Sequence, residues 1–219
     1  MIGLIKGHYK DFDYIVNRDI YKVRDRQPGA FDYVFDIGAN IGIFSIYMRM
    51  LQPKARIIAI EPSNEAYPYL YLNTRLFGIE TEQKALGDGN PLYFRKRNSM
   101  INPAFVEDEG EDSYRVESAT LSNLFAGYDI NYDKNYMIKL DCEGGEKYLF
   151  DDEFSENILR AAEQVSMEVH FQSKNTPYDF WPEWHEIDEW IKGLFTHHNI
   201  EYYLSSKTGG YGHYCIRRY

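Results

Sequence analysis

Cysteine is nearly missing from this chain. Only Cys142 and Cys215 occur, in no paired motif. That argues against a disulfide framework and against a cysteine-rich structural zinc site. Long apolar runs are missing too. No segment approaches the ~18 apolar residues a spanning helix needs, and Met1-Ile2-Gly3-Leu4-Ile5-Lys6 is too short an apolar run for a signal peptide. A cytoplasmic location without membrane contact is expected. Positive charge is scarce, with 24 Lys and Arg against 34 Asp and Glu and a net charge of −10. That argues against nucleic acid as a partner, because phosphate binding needs a basic footprint, and against docking on anionic lipid. One short basic cluster, Arg95-Lys96-Arg97, reads as a solvated strand end.

What is present is globular. Of 219 residues, 44% are hydrophobic and 16% aromatic, with 20 tyrosines. A single domain over 1–219 is expected, long enough to bury a full core. Residues 1–30 read as a helical lead-in with a helix over 11–24, stopped at Gln27-Pro28-Gly29. Strands are expected at 33–37, 56–60, 82–86, 92–94, 136–140 and 165–170. A helix carrying Ile43, Ile46, Tyr47, Met50 and Leu51 follows the first strand. A second covers 65–77, closed by Gly78, with Pro68 placed in its first turn or the start moved later. Further helices are expected from about Glu146, over 155–162 and over 181–195. Strands at 201–204 and 213–216, joined through Gly209-Gly210, form a terminal hairpin. The alternation predicts an α/β, Rossmann-like fold: a mostly parallel seven-stranded sheet with helices on both faces and an antiparallel C-terminal hairpin supplying the edge strand. Residues 98–135 are irregular. Their acidic run Glu107-Asp108-Glu109-Gly110-Glu111-Asp112 reads as a solvated loop, or else as a lid over the site.

The first strand ends in an acid and passes into a glycine loop, Asp36-Ile37-Gly38-Ala39-Asn40-Ile41-Gly42. Strand, glycine turn and helix together cradle a nucleoside-bearing cofactor. Glu61 ends the second strand, where an acid accepts hydrogen bonds from a ribose diol and repels a 2′-phosphate. The loop departs from the dinucleotide pattern, because Asn40 stands where the second glycine lets backbone approach a pyrophosphate. A ligand without pyrophosphate fits better. S-adenosyl-L-methionine is one, and Asp36 would attract the ammonium of its amino-acid tail, directly or through water.

These residues resemble a class I S-adenosylmethionine-dependent methyltransferase of the FkbM type. The matching pieces are the 36–42 loop, Glu61-Pro62 with Asn73 beyond it, and Met167-Glu168-Val169-His170. The most diagnostic piece is Ile138-Lys139-Leu140-Asp141-Cys142-Glu143-Gly144-Gly145-Glu146. The match spans about residues 31–170. It departs at Thr120-Leu121-Ser122, where the family often has Thr-Leu-Asp. The resemblance implies O-methylation, often of sugar hydroxyls, with S-adenosylhomocysteine as product and a small-molecule or glycan acceptor bearing free hydroxyls. The cofactor set expected on this reading is Asp36, Gly38, Ala39, Asn40 and Gly42 from the loop, Glu61, Pro62 and Ser63 after the second strand, Ala85 and Leu86, and Asp141.

A sugar hydroxyl is a poor nucleophile, so a base helps, typically by ~10²–10⁴-fold. Asp141, at the end of the fourth strand, is the leading candidate. Its other reading is a cofactor contact or helix cap. Glu143 and Glu146 read as a clamp for substrate hydroxyls or as helix caps. The alternative is a divalent cation held by Asp141 and Glu143. Glu168 and His170 share one strand face, and His170 has a pKa suited to general-base work. The bland alternative is a pair that supports a neighbouring loop. His185, His197, His198 and His213 read as surface residues. Trp181, Trp184 and Trp190 read as core or interface, with Trp181 or Trp184 able to stack on a sugar. Two rival classes stand beside this reading, an NAD-linked enzyme and a non-catalytic cofactor-binding module.

Overall fold

A computed structural model describes residues 8–95, 105–106, 110, 112–130, 133–149, 152–171, 183–206 and 211–218. The strands are β1 Tyr33–Ile37, β2 Arg56–Ile60, β3 Glu80–Glu82, β4 Ala85–Leu86, β5 Leu92–Arg95, β6 Phe105–Val106, β7 Ser113–Val116, β8 Ser118–Ala119, β9 Tyr136–Asp141, β10 Gln164–His170, β11 His198–Ser206 and β12 Tyr211–Arg218. Seven of them form one sheet in the order β11-β12-β10-β9-β1-β2-β3. β1, β2, β3, β9 and β10 run parallel. β12 runs antiparallel to both β10 and β11. The fold is therefore the expected α/β sheet, with one adjustment. The antiparallel strand is not at the edge, because β12 inserts between β10 and β11 and is paired on both sides.

The chain order reverses between β1 and β9. Ligands of open α/β sheets bind outside the carboxyl ends of strands at such a switch point. The alternation along each strand sorts residues to two faces. Phe35, Ile37, Ile138, Leu140, Val165, Met167, Val169, Tyr214 and Ile216 pack into one core. The helices α4 Leu121–Gly127, α5 Glu153–Ala161 and α6 Trp184–Leu194 cover that face. Val34, Ile57, Ala59 and Met137 face the other way, beneath α2 Ile43–Leu51, α3 Tyr67–Thr74 and the segment around Tyr21, Val23 and Phe31.

The main-sheet strands were legible, with boundary changes, but segment 98–135 is not irregular throughout: among its described residues β6 and β7 pair on either side of β5, β8 pairs with β4, and α4 follows. The expected 82–86 strand splits: β3 begins at Glu80 and stays in the main sheet, while β4 leaves it to pair with β8. α2 buries Phe44, Ser45 and Met48, whereas Met50 is 74% exposed. The face that packs is set by Ser45, which must reach Asp36. Pro68 sits in the first turn of α3, and a 3₁₀ turn, Arg75–Phe77, carries the helix to Gly78, whose φ of 61° ends it. Another 3₁₀ turn, Gly145–Leu149, replaces the helix expected from Glu146.

The lead-in departs most from expectation. Helix α1 spans Tyr9–Phe12, and π-type turns continue it over Asp13–Asn17. It stops well short of Arg24 because Asp19 and Lys22 adopt left-handed φ of 53° and 54°. The Asp19 carboxylate accepts from the Val23 and Arg24 amides and holds that turn. Segment 18–26 then lies on a polar sheet face. Gln164 Nε2 and Ser166 Oγ both donate to the Tyr21 carbonyl, at 3.0 and 2.8 Å. Arg217 reaches the Lys22 carbonyl at 2.6 Å.

The basic cluster at 95–97, most of the acidic run, Trp181 and Gly209-Gly210 fall outside the described residues or side chains. Among the described residues no helix is long and apolar enough to cross a membrane.

Candidate active site

The glycine loop turns the chain over the end of β9. Gly38 has φ of +77°, and a Cβ there would collide with the Asp141 carbonyl oxygen. Gly42 has φ of +90°, and a Cβ would stand 2.7 Å from Thr74 Cγ2 and 2.9 Å from Leu70 Cδ1. Both positions demand glycine for backbone conformation and for space. The loop is fixed from outside by Asn73, whose Nδ2 donates to the Ile41 carbonyl at 2.9 Å. That gives the Asn73 of the sequence motif a physical role.

Glu61 closes the loop from β2. Its Oε2 accepts from the Asn40 amide at 2.8 Å and its Oε1 from the Ser63 amide at 2.9 Å. The side chain is 5% exposed. Burial pushes its pKa up to about 7, and the two amides offset only part of that. Ser63 Oγ then accepts from the Glu65 and Ala66 amides ahead of α3. Ala39, Ala85 and Leu86 are buried. Leu86 meets the far side of the site, because a Cβ on Gly145 would stand 3.3 Å from its carbonyl and 2.9 Å from Cys142 Cβ. The structure thus draws the loops after β1, β2, β4 and β9 to one edge.

Asp36 is placed differently from expectation. It is fully buried, and its Oδ2 accepts from Ser45 Oγ at 2.5 Å. Lys139 Nζ stands 3.1 Å from Oδ1. Lys139 thus already offsets the carboxylate expected to attract the cofactor's ammonium directly or through water. Lys139 belongs to the 138–146 sequence motif, and the structure gives it a role. It is 3% exposed and reaches Asp36, the Gly38 carbonyl at 2.5 Å and Asp141 at 3.9 Å. Burial pulls its pKa down, yet Asp36 and Asp141 outweigh that and hold the ammonium charged.

Asp141, Glu168 and His170 meet above β9 and β10, where Asp141 lies directly opposite Glu168. Their donor atoms all fall within 4.8 Å of one another. Tyr21 donates its hydroxyl to Asp141 Oδ2 at 2.9 Å, so the lead-in contributes to the site. His170 Nε2 stands 3.4 Å from Glu143 and 3.5 Å from Glu168. Its Nδ1 stands 3.3 Å from Glu146 Oε2. Glu143 is held at φ of 50°, next to Gly144 at 99°. Glu146 serves the turn. Its carboxylate accepts from the Cys142 amide at 2.7 Å and the Gly144 amide at 3.0 Å.

The electrostatics revise the base assignment. Burial opposes the His170 imidazolium, but Glu146, Glu143 and Glu168 outweigh it and raise the pKa well above the ordinary histidine value. A ring that keeps its proton is a poor general base at neutral pH. Burial, then Asp141, raises Glu168 well above the carboxylate range. His213 is the second correction. Far from the surface, it is 4% exposed and sits opposite Glu168 in the β10–β12 register. In the sequence it looked like one more isolated histidine. Only the strand pairing puts it in the row Asp141, Glu168, His213. Trp184 stacks on Tyr202 and Tyr214, with centroids at 4.7 and 5.7 Å, and so belongs to the core. Burial keeps the Cys142 thiol protonated, which removes it as a nucleophile.

An adenosine-bearing cofactor fits this edge. The loop leaves the Asn40 Oδ1 acceptor buried with no hydrogen-bond partner, while the Asn40 backbone amide donates to Glu61. Gly38 and Gly42 form a cradle that side chains would fill.

Comparison with known proteins agrees with the fold and the loop. Methyltransferase sdnD of Sordaria araneosa is 42% identical over 148 residues, covering 52% of this chain and 57% of that protein. Methyltransferase 1 of Beauveria bassiana is 26% identical over 158 residues, covering 60% of this chain and 63% of that one. The chain thus spans less than two thirds of the length of these curated relatives. Among solved structures, a methyltransferase FkbM from Methylobacillus flagellatus KT matches with a TM-score of 0.55 at 13% identity, covering 90% of this chain and 46% of that one. At that identity the likeness shows the fold alone. The family model described as the methyltransferase FkbM domain matches residues 36–202, from the buried acid of β1 through β9 and β10 into β11. The chain belongs to the methyltransferase FkbM family.

Proposed function

We propose that this domain is an S-adenosyl-L-methionine-dependent O-methyltransferase that methylates a hydroxyl of a sugar or glycan. The observation that carries the reading is the position of Asp141. Its backbone carbonyl backs the glycine loop, and its carboxylate faces Glu168 and His170. Donor and acceptor sites thus share one residue at the switch point of the sheet.

The cofactor supplies a sulfonium-activated methyl group, which leaves S-adenosylhomocysteine after transfer. The residues that hold it are those of the loop, with Glu61 accepting from the ribose hydroxyls and Asn40 offering its free acceptor. Lys139 fixes the loop through the Gly38 carbonyl and offsets the charge of Asp36 beneath it. The acceptor binds over β9, β10 and β12. Carboxylates there hydrogen-bond hydroxyls well, which supports a polyhydroxy acceptor. Transfer is an in-line displacement, so positioning carries much of the rate. The hydroxyl proton passes to Asp141, because burial beside Asp141 favours the protonated form of Glu168 and the surrounding carboxylates favour that of His170.

The test is transfer of labelled methyl from S-adenosyl-L-methionine onto a panel of mono- and oligosaccharides, phenols and proteins. Label in the sugar fraction supports the reading. Label confined to phenols or proteins removes the sugar acceptor.

A further inference from the structure

The cluster beside the glycine loop carries more than a proton acceptor. Three adjacent strands each present one polar residue on the same row and face: Asp141, Glu168 and His213. His170 adds a fourth donor from the same face of β10. Four acids surround this point, Asp141, Glu143, Glu146 and Glu168, against the His170 ring within the cluster and Lys139 3.9 Å from Asp141. Burying so many acids together is costly unless protons or a cation compensate them.

Two independent details point to a ligand. First, both ring nitrogens of His213 are buried with no hydrogen bond, although Nε2 stands 3.2 Å from Glu168 Oε2. Second, Glu146 stands at Nδ1 of His170 and directs Nε2 towards Glu168. A carboxylate behind a histidine is the usual support of a metal-ligating ring.

We propose that Asp141, Glu168 and His170, with His213 beside them, hold a first-row divalent cation such as Mn²⁺ or Zn²⁺. Mixed imidazole and carboxylate donors suit these ions better than Mg²⁺ or Ca²⁺, which favour oxygen alone. Ligands at ~2.1 Å from one ion stand at most ~4.2 Å apart. The donor atoms, within 4.8 Å of one another, need only small side-chain adjustments. Its catalytic role, binding and polarising an acceptor hydroxyl, rests on the function proposed above. Its binding does not.

The experiment titrates tag-free protein with Mn²⁺, Zn²⁺ and Mg²⁺, and separately with S-adenosylhomocysteine. One Mn²⁺ or Zn²⁺ per chain is expected, with Mg²⁺ at least tenfold weaker. Glu168→Gln and His170→Asn each weaken Mn²⁺ binding tenfold or more, while His185→Ala, on the exposed end of α6, leaves it unchanged. Pulsed EPR of the wild-type Mn²⁺ complex shows histidine nitrogen coupling, a readout that needs no variant. Absence of saturable one-to-one binding, or of nitrogen coupling, overturns the site. So does binding undiminished in both folded variants. Failure to bind S-adenosylhomocysteine would sink the methyltransferase reading and leave the metal result standing.

Discussion

Lys139 Nζ lies 3.1 Å from Asp36 Oδ1, and both side chains are buried beneath the glycine loop. Removing one partner leaves an uncompensated buried charge. Lys139→Met is therefore expected to destabilise the fold by about 3–5 kcal/mol in urea unfolding. Asp36→Asn keeps a partner for Ser45 and leaves Lys139 its Asp141 contact, so its loss is smaller. A Lys139→Met loss below about 1 kcal/mol would show that the pair does not hold the loop.

Gly38 admits no side chain. Gly38→Ala places a methyl group against the Asp141 carbonyl at a left-handed φ. The loop must move, and S-adenosylhomocysteine affinity is expected to fall at least tenfold, with a stability loss of about 1–3 kcal/mol. Calorimetry and chemical unfolding on the same sample check both. Unchanged affinity would contradict the loop's assignment.

Glu61 gives a pH dependence with a definite sign. Its pKa rises from 4.5 to about 7 on folding, chiefly by burial. The native state therefore binds more protons than the unfolded state across that window. The stability this group contributes is full below pH 4.5 and is lost as pH rises to about 7, at about 1.4 kcal/mol per pKa unit, or about 3 kcal/mol in all. Glu61→Gln should remove that slope in unfolding curves measured from pH 4.5 to 8. Ribose hydroxyls donate to the ionised form, so S-adenosylhomocysteine should bind more tightly as pH passes 7. In Glu61→Gln the affinity should drop ~10–100-fold and lose its pH dependence. A variant that keeps the wild-type slope would contradict the burial account.

Glu146 holds the turn after β9 through two amides. Glu146→Ala leaves the Cys142 and Gly144 amides without acceptors, at about 1–3 kcal/mol for each one that stays dry. It also strips His170 of its Nδ1 partner, so the His170 pKa should fall. Histidine NMR titration measures that shift directly. An unmoved His170 would mean that Glu143 and Glu168 alone set its charge.

How much of this was legible in the sequence follows from burial. β1 and β2 are apolar runs ending in an acid, each paired on both sides in the sheet, and their bounds read correctly. The Gly38 and Gly42 turn and the strand-end acids were equally plain, because few residue types meet those demands. The lead-in was misjudged because its stop depends on left-handed Asp19 and Lys22, and neither is glycine. Lys139 and His213 were missed for one reason: each is a polar residue on a buried face. Within an alternating strand such a residue reads as solvent-facing. Only the docking of residues 18–26 onto β10 and β12 turns that face inward. The charge on His170 was illegible for a similar reason, since its neighbouring carboxylates come together only once β9 and β10 are paired.

The central claim is that this edge binds S-adenosyl-L-methionine, and calorimetry with S-adenosylhomocysteine and with NAD tests it most directly. The account predicts saturable one-to-one binding of S-adenosylhomocysteine, weakened by Glu61→Gln, and no heat from NAD. Tight NAD binding with no response to S-adenosylhomocysteine would contradict it.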